Sequence, residues 1–150
     1  MNKQTVITGA AGFIGSVLAS DLTAAGHQLV LVDDFDRPAK IRNHDRFPNA
    51  IKIDRKGFFR WFNENADSVA QVIHIGARTD TTATDIDVFN KLNLFYTQSV
   101  WRMCTEFNIP LVYASSAATY GLGEFGYTDD HEVVEAVSYT HLTLPTIYSV

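Results

Sequence analysis

Thr8-Gly9-Ala10-Ala11-Gly12-Phe13-Ile14-Gly15 decides how this 150-residue chain is read. The β-branched run Thr5-Val6-Ile7-Thr8 leads into it, and a helical pattern leaves it. Three glycines three residues apart, between a strand and a helix, suit one task. Gly9 lets the chain turn sharply, Gly12 lets backbone approach a pyrophosphate, and Gly15 lets helix and strand pack closely. The first-turn N–H groups then point at the phosphates, and the helix dipole favours their negative charge. An ordinary tight turn is the alternative, since a glycine pattern alone is weak evidence. The strand before, the helix after and an acid closing the next strand favour dinucleotide binding.

That acid is Asp33, in Leu29-Val30-Leu31-Val32-Asp33-Asp34. It lies 18 residues after Gly15 (33 − 15), near the spacing at which a carboxylate hydrogen-bonds the adenosine ribose. A solvated loop acid is the plainer reading. Between these landmarks, Phe13 to Gly26 reads as a helix with Ile14, Val17, Leu18, Leu22 and Ala25 on its apolar face. The connection is short enough for a right-handed crossover.

The remaining chain repeats the alternation. Lys3–Thr8, Gln28–Val32, Ala50–Ile53, Val69–Ile75 and Leu111–Ser115 read as five strands. Asp36 to Pro48 is polar and irregular, holding a loop or a short helix. Phe58, Phe59, Trp61 and Phe62 form an aromatic cluster on a short helix, read as core because no basic stripe accompanies it. Asp85 to Asn108 reads as the longest helix, with Ile86, Phe89, Leu92, Tyr96, Val100, Met103 and Phe107 as its buried stripe. Asn93 lies near that stripe and needs a partner if it faces inward. The segment from Gly121 to about Ala136 reads as a loop over the strand ends. The fold class expected is α/β, a doubly wound parallel sheet of Rossmann type, ending after the fifth strand. Its ligand belongs at the switch point, beside strands one and four.

Composition narrows the partners. Hydrophobic residues make 46% and charged residues 19% of the chain, as in a globular domain with a real core. A net charge of −5 with no basic block argues against nucleic acid and anionic membrane. No apolar signal region or run of about 18 apolar residues occurs, so the cytoplasm is expected. Cys104 is the only cysteine, which excludes an internal disulfide, and its place in a helical pattern reads as packing. His74 reads as a core or strand-end histidine, since no second ligand lies at metal spacing; no metal site is expected.

Taken together, Thr8 to Gly15, Asp33, His74-Ile75-Gly76-Ala77, Asn93 and Tyr113-Ala114-Ser115-Ser116-Ala117-Ala118-Thr119-Tyr120-Gly121 resemble the extended short-chain dehydrogenase/reductases. Within that superfamily, the last of these and Gly76-Ala77-Arg78-Thr79-Asp80-Thr81-Thr82 are most similar to the ADP-L-glycero-D-manno-heptose 6-epimerase family. The resemblance runs from residue 1 to about 136. It implies an isomerase of lipopolysaccharide core synthesis, homo-oligomeric, using NADP or NAD to remove hydride at the sugar's C6″ and return it to the other face. Gly9, Gly12, Phe13, Ile14 and Gly15 are then implied to cradle the pyrophosphate. Asp33 and Asp34 would meet the ribose, and Gly76, Ala77 and Asn93 would line the nicotinamide side. Ser116 would hydrogen-bond the reacting sugar oxygen. Asp33 favours a free 2′-OH, whereas Lys40, Arg55 or Lys56 could pair a 2′-phosphate, so NAD and NADP both stay open. A UDP- or dTDP-sugar epimerase or dehydratase and a non-catalytic dinucleotide sensor are the alternatives.

One departure stands out. The family's acid/base is a Tyr with a Lys four residues on, which lowers its pKa. Lys91 is the last lysine here, and Tyr139 has Thr143 in the partner position. The stretch Val137-Ser138-Tyr139-Thr140-His141-Leu142-Thr143-Leu144-Pro145-Thr146 resembles translated sequencing-adapter DNA. The division expected is therefore 1–136, an incomplete NAD(P)-binding domain, and 137–150, a non-native tail. With the fifth strand an unpaired edge, the chain is expected to aggregate or to bind cofactor weakly, without epimerase activity.

Overall fold

The computed structural model describes residues 3–78, 85–115, 120–123 and 126–132. Five strands form one sheet: β1 (Gln4–Thr8), β2 (Leu29–Asp33), β3 (Ile51–Asp54), β4 (Val69–His74) and β5 (Leu111–Tyr113). Their order is β3-β2-β1-β4-β5, and all pairs are parallel. The chain builds outward from β1 on one side, then returns to pair β4 with β1's other edge. The switch point lies between β1 and β4, and the doubly wound expectation holds. Strand ends agree with the sequence reading to within two residues.

Alternation along the strands assigns the two faces. Val6, Val30, Val32 and Val72 point to one side, where they meet Phe58 and Phe62 of α3 (Phe58–Asn65) and Val100 and Cys104 of α5 (Tyr96–Glu106). Ile7, Leu29 and Leu31 point to the other, against Ala19 of α1 (Phe13–Ala24) and Phe47. Phe58 and Phe62 are each 1% exposed and stack edge to face, so the aromatic cluster is core, as expected. Cys104 is buried among them, and burial pushes its thiol pKa up to about 11, which suits packing.

Two helices differ from the pattern expected. In α1 the buried residues are Gly15, Ser16 and Ala19, while Ile14 and Val17 are exposed. Close approach to the sheet selects the small residues for the contact and leaves the large ones at its margin. The long helix is three pieces: α4 (Ile86–Phe89), a π-helical turn over Asn90–Phe95, and α5. The wider π turn shifts the phase of the apolar stripe. Phe89 and Val100 stay buried, whereas Ile86 is exposed.

The irregular stretch resolves into a 3-10 turn (Pro38–Lys40) and a one-turn helix α2 (Ile41–His44). His44 is 6% exposed, its ring edge-on to Phe35 at 4.9 Å. Its Nδ1 lies 3.2 Å from Asp45 Oδ1, but among the described residues neither ring nitrogen makes a hydrogen bond. A buried polar group without a partner costs stability. His44→Leu is expected to raise stability by about 1 kcal/mol, read as a higher urea midpoint at pH 8. A lower midpoint would show that the Asp45 contact outweighs desolvation.

Candidate functional site

The carboxyl ends of β1, β2 and β4 open into one cavity of about 590 Å³. That is within the roughly 300–1,000 Å³ usual for small-molecule and cofactor sites. Gly9, Gly12, Phe13, Ile14, Gly15, Asp33, Asp34, Lys40, Arg55, Gly76 and Ala77 all reach its wall. Eleven residues named from sequence, drawn from segments up to 68 residues apart (77 − 9), therefore meet at one place. Asn93 does not line the wall. Ser116 lies outside the described residues, as do Thr79 to Thr82 and the stretch 133–150.

The glycine turn is held by contact as well as by conformation. Gly9 has φ +70°, and a Cβ there would lie 2.6 Å from Gly76 Cα. The turns after β1 and β4 thus touch through backbone, which glycine alone allows at both positions. Gly12 caps α1 with extended backbone and no side-chain cap. The N–H groups of Phe13, Ile14 and Gly15 therefore have no acceptor one turn earlier within the helix. They form the positive end of α1 at the cavity.

Asp33 closes β2 and is 7% exposed. Its Oδ2 accepts from Ala11 N at 2.9 Å, and its Oδ1 accepts from Asp34 N at 2.7 Å and Lys40 Nζ at 2.8 Å. The carboxylate is thus tied to the glycine turn from the side. Asp34 receives Arg37 Nε and Arg55 Nη2, each at 3.3 Å. Burial works to raise the Asp34 pKa, but the Arg37 hydrogen bond and the Arg55 and Arg37 charges outweigh it and hold the carboxyl below its usual value. Arg37, Lys40 and Arg55 make one cationic rim around two carboxylates. Arg37 was not evident as a site residue, because its place follows from the 3-10 turn rather than from spacing. Lys56 is not on the wall.

A second network joins β1, β4 and α5. Thr8 Oγ1 hydrogen-bonds His74 Nδ1 and accepts from Gly76 N at 3.3 Å, while His74 Nε2 pairs with Thr97 Oγ1 at 2.8 Å. His74 is the core strand-end histidine expected. Tyr96, a member of the buried stripe, also reaches the cavity and donates to Arg55 O at 3.4 Å. Burial pushes its hydroxyl pKa well above the usual 10. Asn93 has the partner it needed: Oδ1 accepts from Arg78 N at 2.7 Å and Nδ2 donates to Arg78 O at 3.1 Å. It holds the strand turn that carries Gly76 and Ala77.

His74 also gives the fold a pH dependence. Burial lowers its pKa from 6.5. Below pH 6.5 the unfolded chain takes up a proton that the folded chain refuses, so stability falls as pH falls through that value. The loss approaches about 1.4 kcal/mol per pH unit until the folded group also titrates. His74→Gln is expected to flatten the urea midpoint between about pH 6.5 and 5 relative to the parent chain. Equal slopes in both chains would refute this.

Arranged this way, the site can hold a phosphate-bridged ligand at α1 and a sugar hydroxyl or charged group at Asp33. The profile of the NAD dependent epimerase/dehydratase family matches residues 5–144. The chain belongs to the NAD dependent epimerase/dehydratase family. It is 42% identical over 133 residues to the ADP-L-glycero-D-manno-heptose-6-epimerase of Fusobacterium nucleatum, covering 83% of this chain and 39% of that one. It is 34% identical over 131 residues to the enzyme of the same name from Brachyspira hyodysenteriae, covering 85% and 41%. The chain thus spans about two fifths of the length of these relatives. Among solved structures, the Helicobacter pylori ADP-L-glycero-D-manno-heptose-6-epimerase superposes with TM-score 0.69 at 21% identity, over 98% of this chain and 51% of that one. A Thermotoga maritima UDP-glucose 4-epimerase superposes with TM-score 0.66 at 23% identity, over 81% and 40%. These structural likenesses establish the Rossmann-type fold. Among the described residues no helix is long and apolar enough to cross a membrane.

Proposed function

We propose that this chain is the cofactor-binding part of a nucleotide-sugar epimerase, an isomerase of the ADP-L-glycero-D-manno-heptose 6-epimerase type, working in the cytoplasm in lipopolysaccharide core synthesis and, as a whole protein, homo-oligomeric. The observation that carries this reading is the meeting of the α1 N-terminus and Asp33 in one cavity at the sheet's switch point. Identities of 42% and 34% to two enzymes of that name favour ADP-heptose over a UDP- or dTDP-sugar.

NAD or NADP fits the residues present. When bound, the dinucleotide supplies reversible hydride exchange at its nicotinamide. The chain's own groups bind and orient it. Phe13, Ile14 and Gly15 offer N–H donors to the pyrophosphate, with Gly9 and Gly12 forming the turn beneath it. Asp33 and Asp34 accept from ribose hydroxyls, and Lys40 and Arg55 stand where a 2′-phosphate would meet positive charge. Gly76 and Ala77 flank the nicotinamide side, with Asn93 holding their turn. Ser116 is assigned the hydrogen bond to the sugar oxygen. The Tyr-x-x-x-Lys pair of the family does not follow Ser116 in this sequence, so the chain as it stands is expected to bind without turnover.

Calorimetric titration of the chain with NAD, NADP and ADP-ribose tests this. Saturable one-site binding of a dinucleotide and of ADP-ribose, with no conversion of an ADP-heptose, is the result expected. No binding of any of the three would overturn the dinucleotide reading. Turnover would overturn the assignment of catalysis to a Tyr–Lys pair.

A further inference from the structure

The glycine turn is held by more than its glycines. Ala11 lies inside it, fully buried, and both of its backbone polar groups are taken by side chains from elsewhere. Its N–H goes to Asp33, as described. Its C=O accepts from Asn43 Nδ2 at 2.9 Å, across 32 residues of sequence. The C=O of Ala11 and the N–H of Gly12 belong to one planar peptide unit. That N–H donates to Gly9 O at 3.0 Å. The Ala11–Gly12 peptide is therefore pinned at both ends, by Asn43 on one side and by the turn itself on the other. This unit ends at Gly12, the N-cap of α1, and so places the adjoining Gly12–Phe13 peptide, which carries the first of the N–H groups of Phe13, Ile14 and Gly15.

Asn43 is well placed to hold it. The segment that carries it is fastened before and after: Lys40 Nζ pairs with Asp33 Oδ1 at 2.8 Å, and Arg46 Nη2 donates to Ser16 O at 2.7 Å. A four-residue helix has little stability of its own, so these contacts give Asn43 its fixed position.

We infer that Asn43 is a positioning residue for phosphate binding: its side-chain amide, through Ala11 O, presets the peptide that aims the α1 N-terminus at a pyrophosphate. The inference rests on the dinucleotide reading. It differs from a general contribution to folding because it acts on the phosphate end of the ligand and not on the adenosine end. Donors already aimed at the ligand spare it the cost of ordering them on binding.

The test compares two probes on the full chain, ADP-ribose, which carries the pyrophosphate, and adenosine, which carries none. Asn43→Ala is expected to weaken ADP-ribose by about fivefold to tenfold, the equivalent of one hydrogen bond, and to leave adenosine within about twofold. Asn43→Asp, nearly isosteric, sets a carboxylate oxygen against Ala11 O and is expected to weaken ADP-ribose further at pH 8. Arg46→Ala loosens the same segment but keeps the Asn43 amide, and is expected to lower the melting temperature while shifting the ratio of the two affinities less than Asn43→Ala does. Equal weakening of both probes in the Asn43 variants overturns the inference, as does unchanged ADP-ribose affinity in both. So does a ratio shift in Arg46→Ala as large as that in Asn43→Ala. A parent chain that binds adenosine but not ADP-ribose overturns the dinucleotide reading and this inference with it. A parent chain that binds both, with variants that do not differ, overturns this inference alone.

Discussion

Gly15→Ala is expected to destabilise the fold by about 3 kcal/mol or more and to abolish ADP-ribose binding. The added methyl would lie 2.2 Å from Gly9 O and 2.9 Å from Ala10 Cα. Both are backbone atoms of the turn, so no side chain can swing aside. Relief requires α1 to move off the turn, and the same movement carries its N-terminal N–H groups away from the cavity. Replacing a helical glycine by alanine would otherwise favour the helix, by less than about 1 kcal/mol in the first turn, so sterics and propensity oppose each other here, and the contact distance decides which wins. The measurement is a urea midpoint beside an ADP-ribose titration. A midpoint equal to or above the parent's would show that the turn tolerates the shift. At Gly12, where the nearest atom to an added Cβ is Gly9 O at 3.1 Å, the same substitution is expected to cost less stability.

Asp33→Asn is expected to be nearly as damaging as Asp33→Ala, each costing about 3 kcal/mol and more than tenfold in nucleotide affinity. The carboxylate receives three donors: Ala11 N, Asp34 N and Lys40 Nζ. An ionised carboxylate only accepts, whereas an amide must turn an NH₂ toward one of those donors. Placed at the Oδ2 position, that NH₂ faces the Ala11 N–H. Placed at the other, it faces both Asp34 N–H and the Lys40 ammonium. Alanine leaves Ala11 N–H without its side-chain acceptor and Lys40 without its counter-charge. Glutamate, which keeps the charge but shifts it by one methylene, tests geometry separately from charge. Denaturant midpoints and NAD titrations of the three variants check this. An Asn variant as stable as the parent would mean that the three hydrogen bonds are not all made together.

The different legibility of these residues has a physical basis. Gly9, Gly12, Gly15 and Asp33 could be read from sequence because local backbone geometry fixes their spacing. A strand, a tight turn, a helix and a returning strand leave little freedom in where the next acid falls. Lys40 and Arg55 could be named as cations near strand ends, but not paired. Their engagement with Asp33 and Asp34 depends on the 3-10 turn and on the β2–β3 register, in which Asp33 stands beside Asp54. Asn93 does not reach the cavity wall but hydrogen-bonds the Arg78 backbone, beside Gly76 and Ala77. Nothing in a helical period tells a polar side chain that lines a site from one that holds a neighbouring loop. Asn43 left no trace in the sequence, because its hydrogen bond is to a backbone carbonyl, which every residue has.

The apolar face of α1 is the clearest case of tertiary structure overruling a pattern. Periodicity favoured Ile14 and Val17, and the fold buries Gly15, Ser16 and Ala19. Hydrophobic transfer rewards burying large side chains, and Leu18 and Leu22 do pack against the sheet, but the close approach of α1 to the turn after β1 leaves Ile14 and Val17 exposed and buries the small residues Gly15, Ser16 and Ala19.

The sequence by itself determined the parallel α/β architecture, the place of the cavity at the switch point and the acid beside it. Each of these follows from local rules: alternation for strands, glycine conformations for the turn, and the chain length between successive strands. Only the tertiary structure decided which small residues make the α1 contact, which carboxylate holds which cation, and how Ala11 is gripped from both sides. Those features depend on distances between segments far apart in sequence, and such distances are set by packing the whole sheet and its helices at once.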